Sequence, residues 1–292
     1  MRASRPLVPL LALALVLAAC SDDDPPEAGP DPSPAATGSS PAGSPASTAS
    51  PASSPTSPAA AVALYWLGAV QDPRGPRLYR EFVRLPATDD LVRQAVTAML
   101  EREPGDPDHV SLWADGTPVL GVEREGTTAV VDLSRAARTN RGGSGFEAMT
   151  VQQLVHTATA ADPTVTAVQL LVDGAAVETL WGAVSTREPL RRAPAVEVLG
   201  PVWIDAAEGQ DVGRRVTGSA AVFEATVSWD VRQDGRVVQE GFSTATEGAP
   251  GRGTWTADLT VPAGSYELRA WESSAKDGSV LWLETRQVRV SR

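Results

Sequence analysis

Between residues 62 and 181, apolar positions recur in two periods. Val62-Ala-Leu-Tyr-Trp-Leu67 is a continuous apolar run and predicts a buried strand. Leu78-Tyr-Arg-Glu-Phe-Val-Arg-Leu85 alternates as a half-buried strand does. Thr88-Asp89-Asp90 predicts a helix start, with a capping hydroxyl followed by two carboxylates at the positive end of the helix dipole. Val92, Val96, Met99 and Leu100 form that helix's apolar stripe, and Pro104-Gly105 ends it. Val119–Val122 and Ala129–Leu133 flank Glu125-Gly126 as a hairpin. Thr150-Val-Gln-Gln153 has the capping-box pattern and predicts a second helix with Val151, Leu154, Val155 and Ala158 inward. Thr166–Val172 and Ala176–Trp181 flank Asp173-Gly174, a further hairpin signal. This order predicts an α+β domain, a mostly antiparallel sheet with two main helices on one face.

From Val196 onward the period is two throughout. About seven short runs are separated by Gly, Pro and Asp-Gly, near 196–204, 213–219, 221–232, 236–244, 254–261, 264–272 and 280–290. Phe223, Ala225, Val227, Trp229 and Val231 share one face, as do Trp255, Ala257, Leu259 and Val261. Asp234-Gly235 predicts a type I′ turn. Seven short strands in such a length predict an all-β immunoglobulin-like sandwich.

The ends of the chain change the picture. Arg2 and Arg5 precede the apolar run Leu7–Ala19, which is shorter than the roughly 20 residues needed to span a bilayer. The run closes in Leu17-Ala18-Ala19-Cys20, which resembles the lipobox of bacterial lipoproteins. That resemblance implies cleavage before Cys20 and acylation of its thiol and new amine. Residues 1–20 are thus expected to be a lipoprotein signal peptide, and residues 21–60, rich in Pro, Ser and Ala, a disordered linker. The folded domains are expected at 61–187 and 195–292, facing outward from the cell membrane.

Composition narrows function further. Cys20 is the sole cysteine, which excludes a disulfide framework and a cysteine-ligated zinc site. The net charge is −11, and cleavage before Cys20 would remove Arg2 and Arg5 as well. This balance argues against nucleic acid, whose phosphates are bound by Lys and Arg.

Candidate chemistry is sparse. Ser273-x-x-Lys276 has the spacing of a serine nucleophile and its lysine. It lies between two strand patterns beside Asp277-Gly278, with no Ser-Asp-Asn or Lys-Thr-Gly elsewhere, so it reads as a turn. His156 falls opposite the apolar stripe of the second helix and is expected at the surface or its boundary. His109 sits in a loop rich in Pro and Asp, and neither histidine belongs to an HExxH or similar metal pattern. Gly142–Gly145 reads as a loop, and Asp205, Glu208 and Asp211 as an acidic surface loop rather than a calcium site. No metal, cofactor or catalytic residue is expected. Tryptophan is abundant, with 8 against 4 Phe and 3 Tyr. Trp203, Trp271 and Trp282 fall off the clear alternation, so they are the candidates for exposed rings that bind a ligand or partner.

"VALYWLG", "DGTPVLGVEREGTTAVVDLS", "QQLVHTATA" and "VTAVQLLVDG" together resemble the GerMN domain of bacterial sporulation, germination and envelope lipoproteins. One departure is Glu103-Pro104-Gly105, where that family usually has a Gly-Pro step. "GSAAVFEATVSWDV", "GFSTATEGAPGRGTWTADL" and "ESSAKDGS" resemble the immunoglobulin-like domain of bacterial spore-germination proteins. These resemblances imply a non-enzymatic lipoprotein, anchored at Cys20, that binds another envelope protein. Peptidoglycan binding through exposed tryptophan is the alternative, and an envelope hydrolase is disfavoured for want of paired acid and base residues.

Overall fold

The computed structural model describes residues 59–292 apart from Gln71, Pro73, Ser144 and Glu208. The signal segment, Cys20 and the linker up to residue 58 lie outside the described residues. Strand β1 (Ala59–Gly68) already includes the last two positions assigned to the linker. It pairs antiparallel with β2 (Arg77–Pro86), Leu64 opposite Glu81 and Trp66 opposite Tyr79. Helix α1 (Leu91–Glu101) follows, capped by Asp90, whose side chain accepts from the Arg93 N–H. The cap is therefore Asp90 and not Thr88, whose hydroxyl accepts from the Asp90 N–H instead.

β3 (Val119–Glu125) and β4 (Thr128–Leu133) form the expected hairpin. Helix α2 (Glu147–Ala161) then carries the chain across to β5 (Ala167–Val172), which pairs parallel with β4 as a helical crossover permits. α2 opens three residues before the capping-box pattern. Thr150 lies inside it, its hydroxyl donating to the Phe146 carbonyl one turn back rather than capping an N–H. The short strands β6 (Ala175–Ala176), β7 (Thr179–Leu180) and β8 (Val184–Ser185) complete this half. Both helices pack on its strands around Leu64, Trp66, Met99, Val131, Leu154 and Leu170.

The C-terminal half begins with a single helical turn, α3 (Ala195–Val198), and β9 (Val202–Ile204), where one strand was expected. Then come β10 (Gln210–Asp211), β11 (Arg215–Ala220), β12 (Thr226–Gln233), β13 (Arg236–Thr244), β14 (Gly253–Asp258), β15 (Gly264–Ser273) and β16 (Val280–Val290). They form a five-stranded sheet, β10-β16-β15-β12-β13, facing a three-stranded one, β14-β11-β9. The inward rows of Val227, Trp229 and Val231 and of Trp255, Ala257, Leu259 and Val261 are buried as the alternation requires. Phe223 is the exception at 58% exposed, because a tight turn with left-handed Glu224 and Ala225 breaks the run ahead of β12. Asp234 and Gly235 both have positive φ, as a type I′ turn demands. Ser273 ends β15 and Lys276 lies exposed in the turn to β16, so the Ser-x-x-Lys tetrad is a strand connection.

The described residues belong to one compact unit. A third, smaller core of Tyr65, Leu67, Leu78, Tyr79 and Trp203 joins the halves. There Leu78 forms a parallel bridge with Leu199, and its carbonyl accepts from both the Gly200 N–H and the Trp203 indole.

Candidate functional site

Beside that third core, five charged side chains meet out of solvent. Glu81 comes from β2, Asp106 and His109 from the loop after α1, and Glu284 and Arg286 from β16. Each is at most 7% exposed. Along β16 the inward row runs Val290, Val288, Arg286, Glu284. The first two pack in the sandwich core, while the last two meet the N-terminal half. Glu81 likewise occupies an inward position of β2, between Tyr79 and Val83.

Glu81 is the hub. Its carboxylate accepts from the N–H groups of Gly105 and Asp106, at 2.7 and 3.2 Å, and from His109 Nδ1 at 2.7 Å. It thereby holds the turn that carries Asp106 and His109. His109 Nε2 lies 3.5 Å from Glu284 Oε2, and Glu284 Oε1 accepts from Arg286 Nη2 at 2.7 Å. Arg286 Nη1 is 3.3 Å from Asp106 Oδ2 and 3.8 Å from Glu81 Oε1. Tyr79 stacks on the His109 ring at 5.2 Å, and Thr285 donates to Asp108 across the same seam. Tyr79 itself is wedged between Gly68 and Gly200, where a Cβ would fall within 2.6 and 2.5 Å of its ring. Glycine is needed at both positions for close approach.

The protonation of the cluster follows from its charges. Burial alone would strip His109 of its proton, but the Glu284 charge and hydrogen bonds to Glu284 and Glu81 override it, lifting the pKa to about 10. Burial pushes Asp106 up to about 6 against the opposing pull of His109 and Arg286. Glu81 is also desolvated, yet its bonds to His109 and Gly105 and the nearby Arg286 hold it below the ordinary range. The arrangement is a hydrogen-bonded ionic clasp with donors suited to a metal: Asp106, His109 and Glu284 each offer one ligand atom, all within 4.8 Å of one another.

The tryptophans divide. Trp203, expected at the surface, is 2% exposed. It fills the junction because Arg252 and Arg80 lie over its ring at 4.0 and 4.8 Å. Arg252 donates to the Gly200 carbonyl and Arg80 to Asp205. Burial next to Arg80 pushes Arg252 down to about 10, which leaves it charged at neutral pH. Trp282 is half-buried under Arg74 and Arg77. Trp271 is half-buried on β15, in one cross-strand row with Ser228 and the 73% exposed Phe242. Asp205 is taken by Arg80, Asp211 caps the Gly213 N–H, and Glu208 lies outside the described residues.

Both histidines depart from expectation. His109 is buried at the center of the cluster, its partners supplied by strands distant in sequence. His156 is 1% exposed, since α2 is covered on both sides, with the Tyr65 ring tilted against the imidazole at 5.2 Å. Burial, then the Arg192 charge, pushes His156 down to about 3, so it is neutral. Sequence reasoning missed the cluster, although Glu81, Glu284 and Arg286 sit at apolar-phase positions of their strands.

Comparison with known proteins agrees with this layout. Residues 63–178 match the family described as sporulation and spore germination, and residues 195–279 the immunoglobulin-like domain of bacterial spore germination. Among solved structures, the first GerMN domain of the sporulation protein GerM from Bacillus subtilis aligns at 18% identity and TM-score 0.39, over 46% of this chain and 98% of that one. The tandem GerMN domains of the same protein align at 15% identity and TM-score 0.38, over 68% and 61%. A protein from Clostridium perfringens aligns at 19% identity and TM-score 0.33, over 46% and 88%. No curated protein matches significantly. The chain is therefore built from a GerMN-type sporulation and germination domain followed by the immunoglobulin-like domain of bacterial spore germination.

Proposed function

We propose that this protein is a non-catalytic scaffold of the cell envelope, anchored to the membrane through a lipid on Cys20 and docking another envelope protein on its C-terminal sheet. The observation that carries this reading is strand β13. It is an edge of the five-stranded sheet, nine residues long, with Val237, Val238 and Phe242 exposed at 44%, 47% and 73%. Proteins usually blunt such an edge with lysine, proline or a bulge turned outward. β13 contains neither lysine nor proline, and its register shift at Val238 lies near the hairpin end, so the regular stretch Gln239–Thr244 suits addition of a partner strand. The residues best equipped for acid–base chemistry, meanwhile, are each at most 7% exposed and are paired with one another in the ionic clasp.

Two experiments test this. Cys20→Ala should move the chain from the membrane fraction to the soluble one, and retention on the membrane would sink the anchor. A photoreactive residue at Phe242 should give one discrete cross-linked species in cells, absent when the probe sits at exposed Leu120 of the N-terminal half. A diffuse or position-independent pattern would sink the docking face. The row of Trp271, Ser228 and Phe242 supports a second reading, a platform for a peptidoglycan sugar. Saturable co-sedimentation with sacculi that is lost in Trp271→Ala would favor that reading.

A further inference from the structure

We propose that Asp106, His109 and Glu284 form a divalent-metal site that clasps the two domains together. Three features of the geometry carry this. His109 is oriented as a metal-ligating histidine is: Glu81 holds Nδ1 at 2.7 Å and directs Nε2 toward Glu284 Oε2, 3.5 Å away. Asp106 is anchored through Oδ1, which accepts from the Asp108 N–H, so its other oxygen is aimed into the cluster. That Oδ2 accepts no hydrogen bond although the residue is 1% exposed, and it faces the Arg286 guanidinium at 3.3 Å. The charges form the third feature. Glu81, Asp106 and Glu284 carry three negative charges against His109 and Arg286, one in excess, and a divalent cation that displaces the His109 Nε2 proton brings the cluster to neutrality.

One imidazole nitrogen with two carboxylate oxygens is a donor set for zinc or a similar transition ion, whereas calcium and magnesium prefer oxygen alone. Two donors come from the N-terminal domain and one from the last strand of the C-terminal domain. A bound ion therefore acts on the coupling between the domains, whether or not the protein is a scaffold.

The test uses the full chain, stripped with a chelator, unfolded in guanidinium and refolded with or without zinc chloride, because the donors are buried. Refolding with zinc should leave one zinc per chain after desalting and raise the melting temperature. Asp106→Asn and His109→Gln should each lose the zinc while keeping the far-ultraviolet signature of the fold, and Glu81→Gln should weaken zinc binding about 10–100-fold. No retained zinc in the refolded wild type, or zinc that persists in both ligand variants, overturns the site. Should those variants fail to fold, cobalt decides in the wild type: a visible absorption band of a low-coordinate ion is expected, and its absence overturns the proposal.

Discussion

His109 and His156 are buried to nearly the same degree, yet their surroundings drive them to opposite charge states. His109 lies between two carboxylates at the seam of the domains and is held protonated, with a pKa of about 10. His156 lies within the N-terminal domain against Tyr65, with neither ring nitrogen hydrogen-bonded, and is held neutral, with a pKa of about 3. Desolvation acts on both in the same direction. What differs is whether a strand from elsewhere in the fold delivers a countercharge. Burial by itself thus says nothing of a histidine's charge, and the seam between the domains is a polar lock while the core beneath α2 is an apolar one.

The sharpest way to break this comparison is one substitution made at both sites. His109→Leu should cost about 3–5 kcal/mol, because it leaves three buried carboxylates, Glu81, Asp106 and Glu284, facing Arg286 as their sole remaining cation in the cluster. His156→Leu should instead leave stability unchanged or raise it by about 1 kcal/mol, since it removes two unsatisfied polar atoms from an apolar site. Urea unfolding at pH 7 measures both, and equal losses would refute the contrast. Trp203→Ala should cost about 3–5 kcal/mol as well, since it empties the junction core.

The pH dependence of the chelated protein sharpens the same contrast. The folded pKa of His156 is depressed below its unfolded 6.5, so its contribution is intact above that pH and is lost as pH falls toward 3, where only the unfolded chain binds the proton. His109 is raised, so its contribution is complete below 6.5 and is lost as pH rises toward 10. Each limb spans up to about 5 kcal/mol. Asp106, raised to about 6, works against the acid limb by taking up a proton in the folded state first. Unfolding midpoints from pH 4 to 10 should show His156→Leu flattening the acid limb and His109→Leu the alkaline one. The reverse assignment would show that the two environments had been interchanged.

The smallest effect belongs to the Ser-x-x-Lys tetrad. Lys276→Ala should change stability by less than about 0.5 kcal/mol, as expected of an exposed turn residue. Ser273→Ala should cost about 1 kcal/mol, since its hydroxyl bonds Ser228 and accepts from the Trp271 indole.

Local pattern was enough for most of the elements. Asp173-Gly174, Asp234-Gly235 and Gly126 all lie between paired strands with positive φ, because left-handed backbone is a property of a few residue types, while Glu125 ends β3 and pairs with Thr128. The two domain types were legible for the same reason, each being a fixed order of such local signals. Helix starts were less so. Asp90 and Thr88 compete for one cap, and Thr150 satisfies a carbonyl rather than an N–H.

The sequence by itself determined the elements, their alternation and the two domains they build, because period, turn chemistry and capping act over a few residues. Only the tertiary structure decided the fate of the polar side chains. It buried Trp203 between two arginines, left Trp271 at the sheet surface, and brought Glu284 and Arg286 from the last strand to Asp106 and His109 in an early loop. A charge's protonation and ligands depend on neighbors within a few ångströms, and here those neighbors are far apart along the chain.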